Sequence, residues 1–104
     1  MAISCGSEKR NSAALSQEQM VDFLIDLHLS EATVQDLRLK PDSAIALFKV
    51  QEKLLYKQHG ITDSMFINSF QYYLEQPVLM EEIYAAIIDS LSLRQVLLRE
   101  STEQ

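Results

Sequence analysis

The stretch Leu24-Ile25-Asp26-Leu27-His28-Leu29-Ser30-Glu31-Ala32 sets three ionisable side chains, Asp26, His28 and Glu31, among apolar residues. In a helix His28 and Glu31 share a face, and an i, i+3 histidine and carboxylate pair is a spacing used by metal ligands in helical bundles. Such sites draw further Glu or His residues from facing helices, and the chain offers no second pair of this kind. The expected role is therefore structural: Glu31 hydrogen-bonds a neighbouring helix or its loop, with His28 nearby. Metal-dependent or proton chemistry at Asp26, His28 and Glu31 is the alternative.

Other reaction chemistries lack parts. Nucleophilic catalysis needs a Ser, Cys or Thr beside a base that a third group orients, and the chain has two histidines and a single cysteine, Cys5, set in a small, polar stretch. Neither a glycine-rich phosphate loop nor a Cys-x-x-Cys pair is present. Glu81 and Glu82 are adjacent, so in a helix they point in different directions. No enzyme activity, metal or cofactor is expected. The aromatic residues at helical spacing read first as core, although Tyr72, Tyr73 and Tyr84 are candidates for binding apolar segments where they stay exposed.

Composition narrows the class of partner. The net charge is −6 over 104 residues, and between Gln58 and Leu93 there are five acids and no Lys or Arg. Phosphate recognition requires clustered basic groups that displace counterions, so nucleic acid is not an expected partner. The longest apolar run, Ile83-Tyr84-Ala85-Ala86-Ile87-Ile88, falls far short of the ~20 residues that span a bilayer. With 47% apolar residues, two glycines and two prolines, the chain has the makings of one packed helical domain.

Punctuation in the sequence divides that domain into about four helices, mostly antiparallel. Residues 1–15 read as a flexible tether, because the stretch around Cys5 lacks the apolar content to fold. Ser16-Gln17-Glu18-Gln19 has capping-box spacing and opens a helix over 17–37, with Met20, Phe23, Leu24, Leu27, Glu31, Val34 and Leu37 inward. Lys40-Pro41 separates it from a second helix over 41–58. That helix turns Ala44, Leu47, Phe48, Leu54 and Leu55 inward, and Lys49, Lys53 and Lys57 form a basic stripe read as a solvated face. Gly60 ends it. Thr62 caps a third helix over 62–75, with Phe66, Ile67, Phe70, Tyr73 and Leu74 inward. Pro77 starts the fourth, 77–99, whose inward side carries Val78, Met80, Ile83, Tyr84, Ile87, Leu91 and Val96. Residues 101–104 are expected to fray.

Two runs carry a family resemblance. Met20-Val21-Asp22-Phe23-Leu24-Ile25-Asp26-Leu27-His28-Leu29-Ser30-Glu31-Ala32 resembles the opening helix of small lipoproteins of Bacteroides-type bacteria, a family known as domain of unknown function 4296. Tyr56-Lys57-Gln58-His59-Gly60-Ile61-Thr62, followed by Phe66, Ser69-Phe70, Tyr72-Tyr73, Pro77 and Ile83-Tyr84, is similar to that family's second signature in order and spacing. The likeness spans about residues 17–93. It implies a lipid-anchored cell-envelope protein on the outer membrane or periplasmic face, with Cys5 at the acylated position, an unidentified envelope protein as partner, and no known reaction. Four residues precede Cys5, too few for a secretory signal; the expectation is that the signal has been removed, the other reading being a cytosolic protein starting at Met1. The Gly60 to Tyr73 stretch is also loosely similar to helical segments of periplasmic folding chaperones, which implies a binder of apolar peptides as the alternative function.

Overall fold

The computed structural model describes residues 14–103. Four helices follow in order: α1, Gln17–Asp36; α2, Pro41–His59; α3, Asp63–Leu74; and α4, Pro77–Glu103. There are no strands among the described residues. Each junction has the local cause read from the sequence. Ser16 accepts from the Gln19 backbone N–H at 3.1 Å while the Gln19 side chain accepts from the Ser16 N–H at 2.8 Å, so two orphan donors of α1 are satisfied together. Pro41 takes the first position of α2, where its missing donor loses nothing. Gly60 closes α2 in the left-handed conformation, and the Thr62 hydroxyl accepts from the Met65 N–H at the start of α3. Gln76 and Pro77 separate α3 from α4. The turn after α1 is less ordinary, since Arg38 sits at a φ of 52° without being glycine.

α1 is the hub. It packs against α2, α3 and α4, and α3 also packs against α4. Contacts run in opposite directions along α1 and α2: Val34 shares a groove with Ala44 and Phe48, whereas Asp26 meets His59. The hairpin is therefore antiparallel. A helix with neighbours on several sides must be apolar on more than one face, and the consecutive residues Phe23, Leu24 and Ile25 are all buried, spanning ~200° of the helix circumference. The sequence pattern had assigned a single face, which left Ile25 outside it.

Two further expectations are corrected. Leu15, placed at the end of the tether, is 1% exposed and belongs to the core with Met20, Leu24, Tyr73, Met80 and Ile83; residues 1–13 of the tether, with Cys5, lie outside the described residues. Leu37, Leu54, Ile67, Leu74, Val78, Tyr84 and Val96, all expected inward, are exposed. The elements beside them account for this: α2 is covered by α1 on one narrow side, α3 by α4 and α1, and the far end of α4 outruns its support. α4 is helical through Glu103, past the expected end near Arg99, and every described side chain from Ser92 onward is exposed.

Candidate functional site

The structure splits the expected trio of Asp26, His28 and Glu31 into two unrelated pairs. Asp26 turns to the end of α2, where its Oδ2 accepts from Nε2 of His59 at 2.8 Å. His28 Nδ1 lies 3.9 Å from Glu31 Oε2, with both side chains nearly half exposed; a pair of that kind stabilises a helix by only ~0.3 kcal/mol. Glu31 thus meets a residue of its own helix, and no hydrogen bond from it to a neighbouring helix is found among the described residues. No group of three or more His, Cys, Asp or Glu side chains stands close enough to hold a metal ion among the described residues.

His59 is what the sequence reading missed. Its ring packs edge-on against Phe23, centroids 5.3 Å apart, and Phe23 itself is fully buried, stacked on Tyr56 at 5.3 Å and tilted on Phe66 at 4.8 Å. With its side chain 20% exposed, His59 is a polar rivet at the edge of an aromatic cluster, joining α1 to α2 through Asp26. The arrangement orients an imidazole, the base half of a nucleophile–base pair; among the described residues no hydroxyl or thiol hydrogen-bonds to it to complete the pair. The signal was present in the spacing, because Phe48, Glu52, Leu55 and His59 follow one another at three and four residues along the side of α2 that meets α1. Burial raises the Tyr56 phenol above its ordinary value, reinforced by the charges of Glu52 and Asp63.

A second polar arrangement holds the N-terminal segment. The Leu15 N–H donates to Ser69 Oγ at 3.0 Å, Ser69 in turn donates to the Met65 carbonyl at 2.6 Å, and the Tyr73 hydroxyl donates to the Leu15 carbonyl at 2.9 Å. Both backbone groups of one buried residue are thus satisfied by side chains of α3. Ser69 is completely buried. It too lay on a readable face, since Met65, Ser69 and Tyr73 recur at four-residue steps. The clamp sets where the preceding chain leaves the domain.

The three candidate tyrosines part company. Tyr73 is 5% exposed and committed to Leu15, so its place as a binding aromatic is withdrawn; its burial, followed by proximity to Tyr72, raises its phenol pKa. Tyr72 is half-buried against it with the rings edge-on at 5.2 Å. Tyr84 is 42% exposed on α4. Larger apolar surface lies elsewhere. An open groove of about 420 Å³ between α1 and α2 is walled by Val34, Ala44, Ile45 and Phe48, and Leu93, Leu97 and Leu98 stand 59%, 55% and 69% exposed on the projecting end of α4.

Residues 12–96 match the family described as a domain of unknown function, DUF4296. The match covers most of the chain, including Leu15, Asp26, His59, Ser69 and Tyr73, and the chain belongs to that family. No curated protein and no solved structure matches it.

Proposed function

We propose that this domain is a non-catalytic protein-interaction module of a cell-envelope lipoprotein, tethered to a membrane through an acylated Cys5 and engaging another envelope protein through the free end of α4. The observation that carries the interaction is the apolar surface on that end. Leu93, Leu97 and Leu98 lie on one side of the helix beyond the last buried residue, Ile87, and no other helix of the described residues covers them. Grouped exposed leucines are unfavourable in water unless a partner removes them from it. The tether rests on the family resemblance, to small lipoproteins of Bacteroides-type bacteria, and on the clamp at Leu15, which gives a membrane anchor a fixed point of attachment on the domain. No helix of the described residues is long and apolar enough to cross a membrane, so attachment in this reading depends on the lipid.

Two measurements test it in cells carrying the full-length gene. A labelled fatty acid should join the protein and be lost with Cys5→Ala, together with membrane fractionation; unchanged labelling and location in the variant would remove the anchor. A photo-crosslinking amino acid at Leu97 should capture a discrete partner that the same group at Asp42, at the start of α2, does not. Equal crosslinking from both positions would remove the interaction surface.

The second reading is a chaperone-like binder of apolar peptides, favoured by the groove between Val34, Ala44, Ile45 and Phe48 and by exposed Tyr84. It predicts that short apolar peptides perturb the nuclear resonance signals of Ile45 and Phe48 or Tyr84, in preference to Leu97 and Leu98.

A further inference from the structure

Two outer faces of the domain carry exposed apolar residues and opposite charge. On α2 the side turned away from α1 carries exposed Val50 and Leu54, which with Tyr56 and Ile61 line a shallow groove of about 470 Å³ flanked by Lys53 and Lys57. Lys49 extends the same basic ridge by one turn. On α4 the side opposite the buried residues Met80, Ile83 and Ile87 carries Val78, Ala85 and Ile88, all exposed, with Glu81 in the same row and Glu82 and Asp89 along one edge. Among the described residues the salt bridges present are the two histidine pairs, so none of these lysines or acids is ion-paired to another described residue. α2 and α4 pack on α1 and share no substantial contact with each other, and one copy therefore does not join its own two faces.

We propose that the outer face of α2 on one copy docks on the outer face of α4 on a second copy, with Val50 and Leu54 against Val78, Ala85 and Ile88, and the lysine ridge along the acidic side formed by Glu81, Glu82 and Asp89. Opposite charges at the rim set the register and speed the encounter, while the apolar strips are the surface removed from water. The named residues span ~12 Å of α2 and ~17 Å of α4, too short a pair of strips to supply the ~800 Å² per partner of a stable complex, so association is weak and salt-sensitive. The two faces differ, which makes the contact heterologous: copies add head to tail and form small open assemblies. These faces are distinct from the leucines at the end of α4, so self-association and partner binding there are separable.

Sedimentation velocity on purified protein tests this. The unmodified protein should shift to faster-sedimenting species with rising concentration at about 50 mM salt, and the apparent dissociation constant should rise at least ~tenfold at about 500 mM salt. The triple variants Lys49→Glu, Lys53→Glu, Lys57→Glu and Glu81→Lys, Glu82→Lys, Asp89→Lys should each be monomeric alone, because each makes both faces the same sign, and should associate again when mixed one to one. Circular dichroism shows whether these surface changes leave the helices intact; if either triple variant is unfolded, Lys53→Glu and Glu82→Lys replace them in the same alone-and-mixed comparison. Unmodified protein that stays monomeric at both salt concentrations, or variants that behave alike alone and mixed, would overturn the proposal. Flotation with vesicles of anionic phospholipid forms the remaining arm. A monomeric protein that floats with them, and ceases to do so when the three lysines are reversed, would give the α2 face to a membrane and not to a second copy.

Discussion

Gly60 holds a φ of 65° at the end of α2, and a Cβ built there meets nothing within 4 Å. The only penalty for a side chain is therefore the backbone itself, and Gly60→Ala should destabilise the domain by ~1 kcal/mol in urea unfolding. The same logic with opposite sign applies at Arg38, a non-glycine residue at a φ of 52°. The buried phenols give a second prediction at this scale. Tyr56 and Tyr73 have pKa values raised above 10.0 in the folded protein, so folding favours their neutral forms. That contribution is complete below pH ~10 and is lost as pH climbs through the raised values, because the unfolded chain ionises first. Ultraviolet titration should show phenolate forming at higher pH in the folded protein than in urea, with thermal stability falling over the same interval. Tyr73→Phe should narrow the difference.

At the scale of elements, α1 must satisfy three neighbours while α3 must hold the segment that precedes α1. The Leu15 clamp is tested by two substitutions. Ser69→Ala leaves the buried Leu15 N–H without a partner and Tyr73→Phe leaves the buried Leu15 carbonyl without one, and each should cost ~1–3 kcal/mol. Smaller losses in both variants by chemical denaturation would mean that the N-terminal segment is not held as described. Ser16→Ala, by removing one side of the capping box of α1, should cost ~1 kcal/mol. Helix limits were legible to within one or two residues for α1, α2 and α3, because caps and breakers act through backbone groups of their immediate neighbours. Which residues each helix buries was less legible. The single-face template misses Ile25 on α1, which has neighbours on several sides, and on α4 it holds for Met80, Ile83 and Ile87 but not for Val78, Tyr84 and Val96, which are exposed.

Over the whole molecule, 56 Å by 35 Å by 23 Å, α4 extends well beyond the body that supports it. No described side chain after Leu91 is buried, so deleting residues 93–104 removes almost no core. The shortened protein should keep its fold and lose less than ~1 kcal/mol, a fall in melting temperature of no more than ~4–8 °C, while crosslinking through the end of α4 disappears. A cooperative collapse on truncation would show that the projecting turns hold the domain together.

The sequence by itself determined the helical class, the order of the helices and the places where they start and stop, since these depend on proline, glycine and capping hydroxyls acting over three or four residues. It also placed the chain in its family through motifs on α1 and along α2 to α4. Only the tertiary structure decided the partners of polar groups. Asp26 was read beside His28, two positions away, yet bonds His59, 33 positions on; Ser69 reaches Leu15 across 54 positions. Local spacing tells which side of a helix a residue occupies, and it carries no record of which other helix arrives on that side. For the same reason Val96, expected inward on α4, is exposed, because the supporting helices end before it.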